Sequence, residues 1–198
     1  MLKLYDVTLS GNCHKARFML SLLGLEYELL PVKLQQGEHK SEPFLQLNPF
    51  GQVPVLVDGD VIIRDSQAIL VYLARRYGGE NWLPLEAEAM SKVMQWLFTA
   101  ANDIQHGVAA ARKHFLLNEQ LDVNLAQKKA HQILQIMDAH LSDRTWLECD
   151  RPTIADIACF PYVALAPEGK VSLDGYSNVT AWIERIKQLP NYVGMPGL

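Results

Sequence analysis

Cysteine is scarce in this chain and poorly spaced for staples or clusters. The three present, Cys13, Cys149 and Cys159, are odd in number and contain no CxxC pair. That fits a reducing, cytoplasmic setting better than a disulfide scaffold. Long apolar runs are also missing: none approaches the roughly 20 residues that a membrane-crossing helix needs. The N-terminal Met1-Leu-Lys-Leu-Tyr5 passes straight into alternation, with no apolar stretch of the signal-peptide kind. Positive charge is not in excess, since 18 Lys and Arg face 22 Asp and Glu for a net charge of −4, so no basic face for a nucleic acid is expected. The histidines lack metal-ligand spacing such as HExxH, and His114, His131 and His140 read as solvated. Internal repeats and low-complexity tracts are absent. What is there is ordinary globular material, 49% hydrophobic and 20% charged, long enough at 198 residues for one large domain or two small ones, each with its own core.

Leu2 and Leu4 alternate with Lys3 and predict a short strand. After a break at Ser10-Gly-Asn12, the residues Ala16, Met19, Leu20 and Leu23 follow helical spacing up to Gly24, and Tyr27 to Val32 reads as a second strand. A β-α-β start implies a parallel pair with a right-handed crossover. Val55-Leu-Val57 and Val61-Ile-Ile63 flank Asp58-Gly-Asp60, a hairpin signal, and Ser66 opens a helix carrying Ile69, Leu73 and Tyr77 on one face. This order is that of a thioredoxin-like α/β domain, expected over residues 1–78. Gly78-Gly-Glu-Asn-Trp-Leu-Pro84 contains the linker, placed at 79–84, and residues 85–198 read as all-helical. Within the helical part, Met90, Val93, Leu97, Ala101 and Ile104 form one apolar stripe, and Ala126, Ala130, Ile133, Met137 and Leu141 another. Pro161 is expected to kink or end its helix.

The segment Asn48-Pro-Phe-Gly-Gln-Val-Pro-Val-Leu56 carries the sharpest functional signal. Proline removes a ladder donor and has no place in a central strand. Pro54 makes sense ahead of a hairpin strand if the Val53–Pro54 bond is cis, leaving the Val53 N–H and C=O at a sheet edge for a peptide-like ligand. Asp65 and Ser66, at the next helix start, would supply a charged end to such a site.

Taken in order, Ser10-Gly-Asn-Cys13, Gly37-Glu-His-Lys40, Asn48-Pro-Phe-Gly-Gln-Val-Pro54, Arg64-Asp-Ser-Gln-Ala-Ile69 and Pro152-Thr-Ile-Ala-Asp156 resemble the cytosolic glutathione transferase family, near a bacterial serine-bearing branch. The resemblance spans nearly the whole chain. It implies a thioredoxin-like domain followed by an all-helical one, and a homodimer. It also implies glutathione as co-substrate, activated as a thiolate for attack on a small, mostly apolar electrophile. Ser10 sits where serine-type classes carry the catalytic hydroxyl, with Asn12 and Cys13 as competitors for the sulfur. The reactive thiol of the cysteine-bearing bacterial class would fall near Asn12. For Ser10 the structural alternative is a plain helix cap, and for Cys13 a buried inert thiol. Val53 and Pro54 would pair with the cysteinyl unit, with Gln52 making a backbone-like contact. Asp65 and Ser66 would hold the γ-glutamyl end, with a plain N-cap as the alternative for Ser66. His39 and Lys40 would meet the glycyl carboxylate, or else form a solvated loop. Thr153 and Asp156 form a capping box, a folding device. Asn102, Gln105, His106, Ala109 and Arg112 recur on one helical stripe that faces either a co-substrate pocket, solvent or a partner subunit. Two other functions stay open: a glutathione-dependent disulfide reductase or peroxidase, and a non-catalytic binder built on the same fold.

Overall fold

The computed structural model describes residues 1–198, the whole chain. Four strands, β1 (Leu2–Asp6), β2 (Tyr27–Pro31), β3 (Val55–Asp58) and β4 (Val61–Arg64), form one sheet in the order β2-β1-β3-β4. β1 and β2 are parallel and joined through helix α1 (Gly11–Leu22), whereas β3 runs antiparallel to both β1 and β4. A short α2 (Glu42–Leu47) precedes the Val53–Pro54 peptide, which is cis, and α3 (Ser66–Leu73) closes this thioredoxin-like part. The rest is helical: α4 (Ala87–Thr99), a π-helical stretch Ala100–Ala109, α5 (Ala110–Leu117), α6 (Val123–His140), α7 (Ile154–Ala164) and α8 (Ser177–Lys187). No helix is long and apolar enough to cross a membrane.

Strand register gathers the ligand segments expected from sequence. Tyr5 lies opposite Leu30 on one side and Val55 on the other, and Val55 lies opposite Arg64. The carboxyl ends of β1, β2 and β4 and the amino end of β3 therefore share one end of the sheet. From that end emerge the Ser10 turn, the 34–40 segment holding His39 and Lys40, the Asp65–Ser66 helix start, and Gln52–Pro54. Open α/β sheets place their ligands at the carboxyl ends of their parallel strands for the same reason.

Five points of the sequence reading are altered or refined by the structure. The two parts do not have separate cores: one cluster of 42 buried residues runs from Leu2, Phe18, Met19 and Leu70 to Leu97, Phe160 and Trp182. α1 is the reason, because it is buried on nearly every side between the sheet and α7. The 79–84 segment is pinned as well: the Arg75 guanidinium donates to Pro84 O at 2.8 Å, Ile154 N donates to Trp82 O at 3.0 Å, and Leu83 is buried.

The first helical stripe also slips. Ala100 is buried and Ala101 exposed, while Asn102 and His106 are exposed and Ala109 and Arg112 are buried. A π-helix closes i→i+5 rings and holds more residues per turn, so a 3.6-residue period drawn through 100–109 goes out of phase. Gly107 belongs to this stretch, and a Cβ there would fall 2.8 Å from Ala130 N, so the missing side chain permits the close approach to α6. Finally, α7 does not end at Pro161 but continues to Ala164, and Ser66 is the first residue of α3 and not its cap.

Candidate active site

Ser10 is the N-cap of α1, in extended conformation, and its hydroxyl oxygen accepts from Cys13 N at 3.2 Å. A hydroxyl oxygen that accepts keeps its own proton for donation, so capping leaves Ser10 a usable donor at the positive end of the helix. Asn12, half-buried in the first turn, accepts at its Oδ1 from Lys15 Nζ at 2.9 Å, and Ser66 Oγ lies 3.3 Å from the same oxygen. These contacts join the starts of α1 and α3. Cys13 has surroundings that match its alternative as a buried thiol. It is fully buried, Val7 N donates to its Sγ at 3.4 Å, and burial, with the nearby Asp6 carboxylate, pushes the thiol up to about 12. The helix field that would favour a thiolate is outweighed by desolvation.

At α3 the cap is Asp65. Its Oδ1 accepts from Gln67 N at 2.8 Å and Ala68 N at 3.3 Å, and it sits at φ 72°, a conformation uncommon for a residue with a side chain. The Asp65 carboxylate is exposed and has no cation within ion-pair distance in the chain. Ser66 is buried, and its single hydroxyl proton goes either to Gln67 Oε1 at 2.8 Å or to Asn12 Oδ1 at 3.3 Å.

The neighbouring loop is held by Asn48, whose amide donates to Gln52 O at 2.7 Å and whose Oδ1 accepts from Phe50 N at 3.1 Å. The Gln52 side chain is exposed, and the Val53 N–H and C=O make no hydrogen bond within the chain. Lys40 is exposed but tethered, donating to Phe50 O at 3.3 Å and Gly51 O at 3.4 Å. His39 is half-buried, with Nδ1 enclosed and lacking a partner. No group of three or more His, Cys, Asp or Glu side chains converges to hold a metal.

The sequence reading missed the supports. Buried Arg17 pairs with Asp6 and donates to Thr8 O at 3.1 Å, and Arg112, from α5, pairs with Glu168 and donates to Leu9 O at 2.9 Å. The β1–α1 turn is thus held from both parts of the molecule. Tyr162 of α7 packs on Gly11 so closely that a Cβ there would sit 2.8 Å from the ring. Burial raises the phenol to about 12, slightly offset by the nearby Asn12 N–H and Ser10 hydroxyl, so it is neutral. Arg112 stood on an expected stripe, but nothing in its spacing marked a contact with Leu9. Lys15 and Tyr162 lay in helical sequence with no motif.

This arrangement defines a two-part protein of the thioredoxin-like class, with the expected ligand segments gathered at one sheet end and helices bracing the first turn. Residues 1–75 match the family model "Glutathione S-transferase, N-terminal domain" and residues 89–190 match "Glutathione S-transferase, C-terminal domain". Among curated relatives, Glutathione S-transferase 3 of Zea mays is 34% identical over 96% of this chain and 91% of its own length. A glutathione S-transferase structure from Pseudomonas fluorescens superposes with a TM-score of 0.93 at 34% identity, covering 98% of each chain. A glutathione transferase homolog from Drosophila mojavensis, solved with bound glutathione, gives 0.87 at 26% identity over 96% of this chain and 88% of its own. The chain belongs to the glutathione S-transferase family.

Proposed function

We propose that this glutathione transferase ionises its thiol substrate with the Ser10 hydroxyl and the Asn12 amide while the tripeptide lies along the free backbone of Val53. Transfer of the glutathionyl group to electrophiles is the activity of the family. The observation that carries the residue assignment is the unpaired Val53 backbone, at the same sheet end as Ser10 and the Asp65–Ser66 helix start. An extended peptide pairs with such an edge strand-fashion. The exposed Asp65 carboxylate suits the γ-glutamyl ammonium, and Ser66 its carboxylate. His39 and Lys40 suit the glycyl end, and Gln52 a peripheral contact.

The chemistry asks little of the protein. A free thiol near pKa 8.5 is only a few per cent ionised at neutral pH. Lowering it by about two units takes roughly 2.7 kcal/mol, and hydrogen bonds to a charged group supply about 1.5–3 kcal/mol each. Ionisation then rises roughly twentyfold, partly offset by lower intrinsic nucleophilicity. Ser10 donates and orients while the glutathione sulfur attacks the electrophile.

The domain division follows the same logic: residues 1–78 bind glutathione, 79–84 connect, and 85–198 shape the electrophile site. For the homodimer, the supporting surface is an apolar cavity of about 740 Å³ lined by Ile63, Val71, Tyr72, Met94 and Phe98. Phe98, 65% exposed, stands out as a residue that a second copy would cover. Three free cysteines, two of them buried, support a cytoplasmic location.

Calorimetric titration with reduced glutathione, paired with rates on a chlorodinitrobenzene and on hydroxyethyl disulfide, tests the reading. Saturable binding with faster arylation is expected. Absence of heat at millimolar ligand removes the binding assignment, and faster disulfide reduction moves the protein to the reductase class.

A further inference from the structure

We propose that Lys15 is a positioning residue for thiol activation: its buried ammonium holds the Asn12 carboxamide oxygen inward, so that the amide N–H groups are presented to the glutathione sulfur. The inference rests on the assignment of Asn12 as a sulfur donor and adds the group that sets its orientation.

Lys15 is completely buried, yet no carboxylate lies within ion-pair distance of it. Its one hydrogen bond goes to Asn12 Oδ1 at 2.9 Å, and its Nζ lies 5.4 Å from the centre of the Tyr162 ring. Ammonium groups are rarely enclosed without a charged partner, because desolvation is expensive. A chain that merely needed packing volume here would be served by Met or Leu. An ammonium only donates, so the carboxamide atom facing it is oxygen, and the amide orientation follows from chemistry. Ser66 Oγ lies 3.3 Å from that same oxygen, with Gln67 Oε1 as its other acceptor. With Oδ1 engaged by the ammonium, Nδ2 has no partner in the chain, and it is not among the enclosed unpartnered atoms. It is the free donor of the first turn, two residues after Ser10.

The groups facing Lys15 are Asp65 at the start of α3 and Cys159 and Tyr162 on α7, together with Asn12 on its own helix. Cys159 and Tyr162 are neutral because burial raises both, which leaves Asp65 as the only formal counter-charge. Burial lowers Lys15 itself to about 8. Once neutral, the amine accepts as well as donates and no longer discriminates between the two ends of the carboxamide.

The test compares wild type with Lys15→Met, Asn12→Ala and the double variant, reading the pH dependence of kcat/KM for arylation and the thiolate absorbance of bound glutathione. Lys15→Met is expected to raise the apparent pKa of bound glutathione by about one unit, a tenfold loss of thiolate in acid that closes toward about pH 9. Asn12→Ala should give the same shift, and the double variant no more. If Asn12→Ala shifts the pKa and Lys15→Met does not, the positioning role is overturned while the Asn12 assignment stands. An unchanged profile in Asn12→Ala overturns that assignment and the inference with it. A pH-independent loss in Lys15→Met with a lowered Tm overturns positioning in favour of packing alone. Should Lys15→Met fold poorly, Asn12→Asp decides: a carboxylate set against the ammonium raises Tm and the glutathione pKa together, whereas a lowered Tm means Lys15 does not meet residue 12.

Discussion

The N-termini of α1 and α7 use the same capping chemistry to opposite ends. At α7 every donor is consumed: Thr153 Oγ1 accepts from Ala155 N at 3.2 Å, and Asp156 accepts from Thr153 N at 2.9 Å, Leu147 N at 3.0 Å and Trp182 Nε1 at 2.9 Å, all fully buried. At α1 the cap is a single half-buried serine that keeps a proton to give, followed by an asparagine with a spare amide. A closed helix start ties structure together. An open one meets a ligand's negative charge, and the difference lies in how many donors the cap leaves over.

The largest expected effect is at the closed end. Asp156→Ala strands three buried N–H donors and should lower unfolding free energy by about 4 kcal/mol, read by urea denaturation. A loss under about 1 kcal/mol would mean that the hub contributes no more than an ordinary cap.

Ser10→Ala should cut transferase turnover near neutral pH on the order of ten- to a hundredfold, the equivalent of one hydrogen bond to a charged sulfur, with the apparent pKa of bound glutathione raised. Thr153→Ala should cost about 1 kcal/mol of stability and leave that pKa alone. An unmoved pH–rate profile in Ser10→Ala would reduce both helix starts to caps.

A smaller, signed effect follows from charge. Burial raises Asp156 from 3.8 to about 6 despite its donors, so its ionised form is disfavoured in the fold. That penalty is absent below the unfolded value and fully present above about 6, so stability from this group falls as pH rises between the two. Relative to Asp156→Asn, wild type should gain stability as pH is lowered across that window. A flat difference between the two denaturation series would refute the raised value.

The smallest signal is thiol reactivity. Cys13 and Cys159 are enclosed, and burial pushes both thiols up, so neutral-pH labelling of the native protein should be confined to half-buried Cys149. Rapid modification of Cys13 by a maleimide, located by mass spectrometry, would show α1 to be as open one residue beyond Asn12 as it is at Ser10.

Much of the site's outline was legible. Pro54 announced its own turn because proline has few acceptable places near a strand, and Thr153 with Asp156 announced a cap by spacing alone. Ser10 and Asp65 were visible as helix starts, although Asp65, not Ser66, takes the cap. What stayed hidden has one character: Lys15, Arg112 and Tyr162 contact the Leu9–Asn12 turn from within helices, where local pattern records only burial or its lack. The stripe through Asn102 and His106 divides, exposed there and buried at Ala109 and Arg112, because a π-helical stretch breaks the period from which it was drawn.

Local chemistry, carried in the order of residues, determined the strands, the helix starts, the hairpin and the proline turn, because each depends on neighbours a few positions apart. Only the tertiary structure decided that one core serves both parts, that Cys13 is enclosed, and that a lysine with no acid beside it grips Asn12. Desolvation and the orientation of a carboxamide are set by atoms far away in the chain, brought together only when the sheet and the helices close on α1.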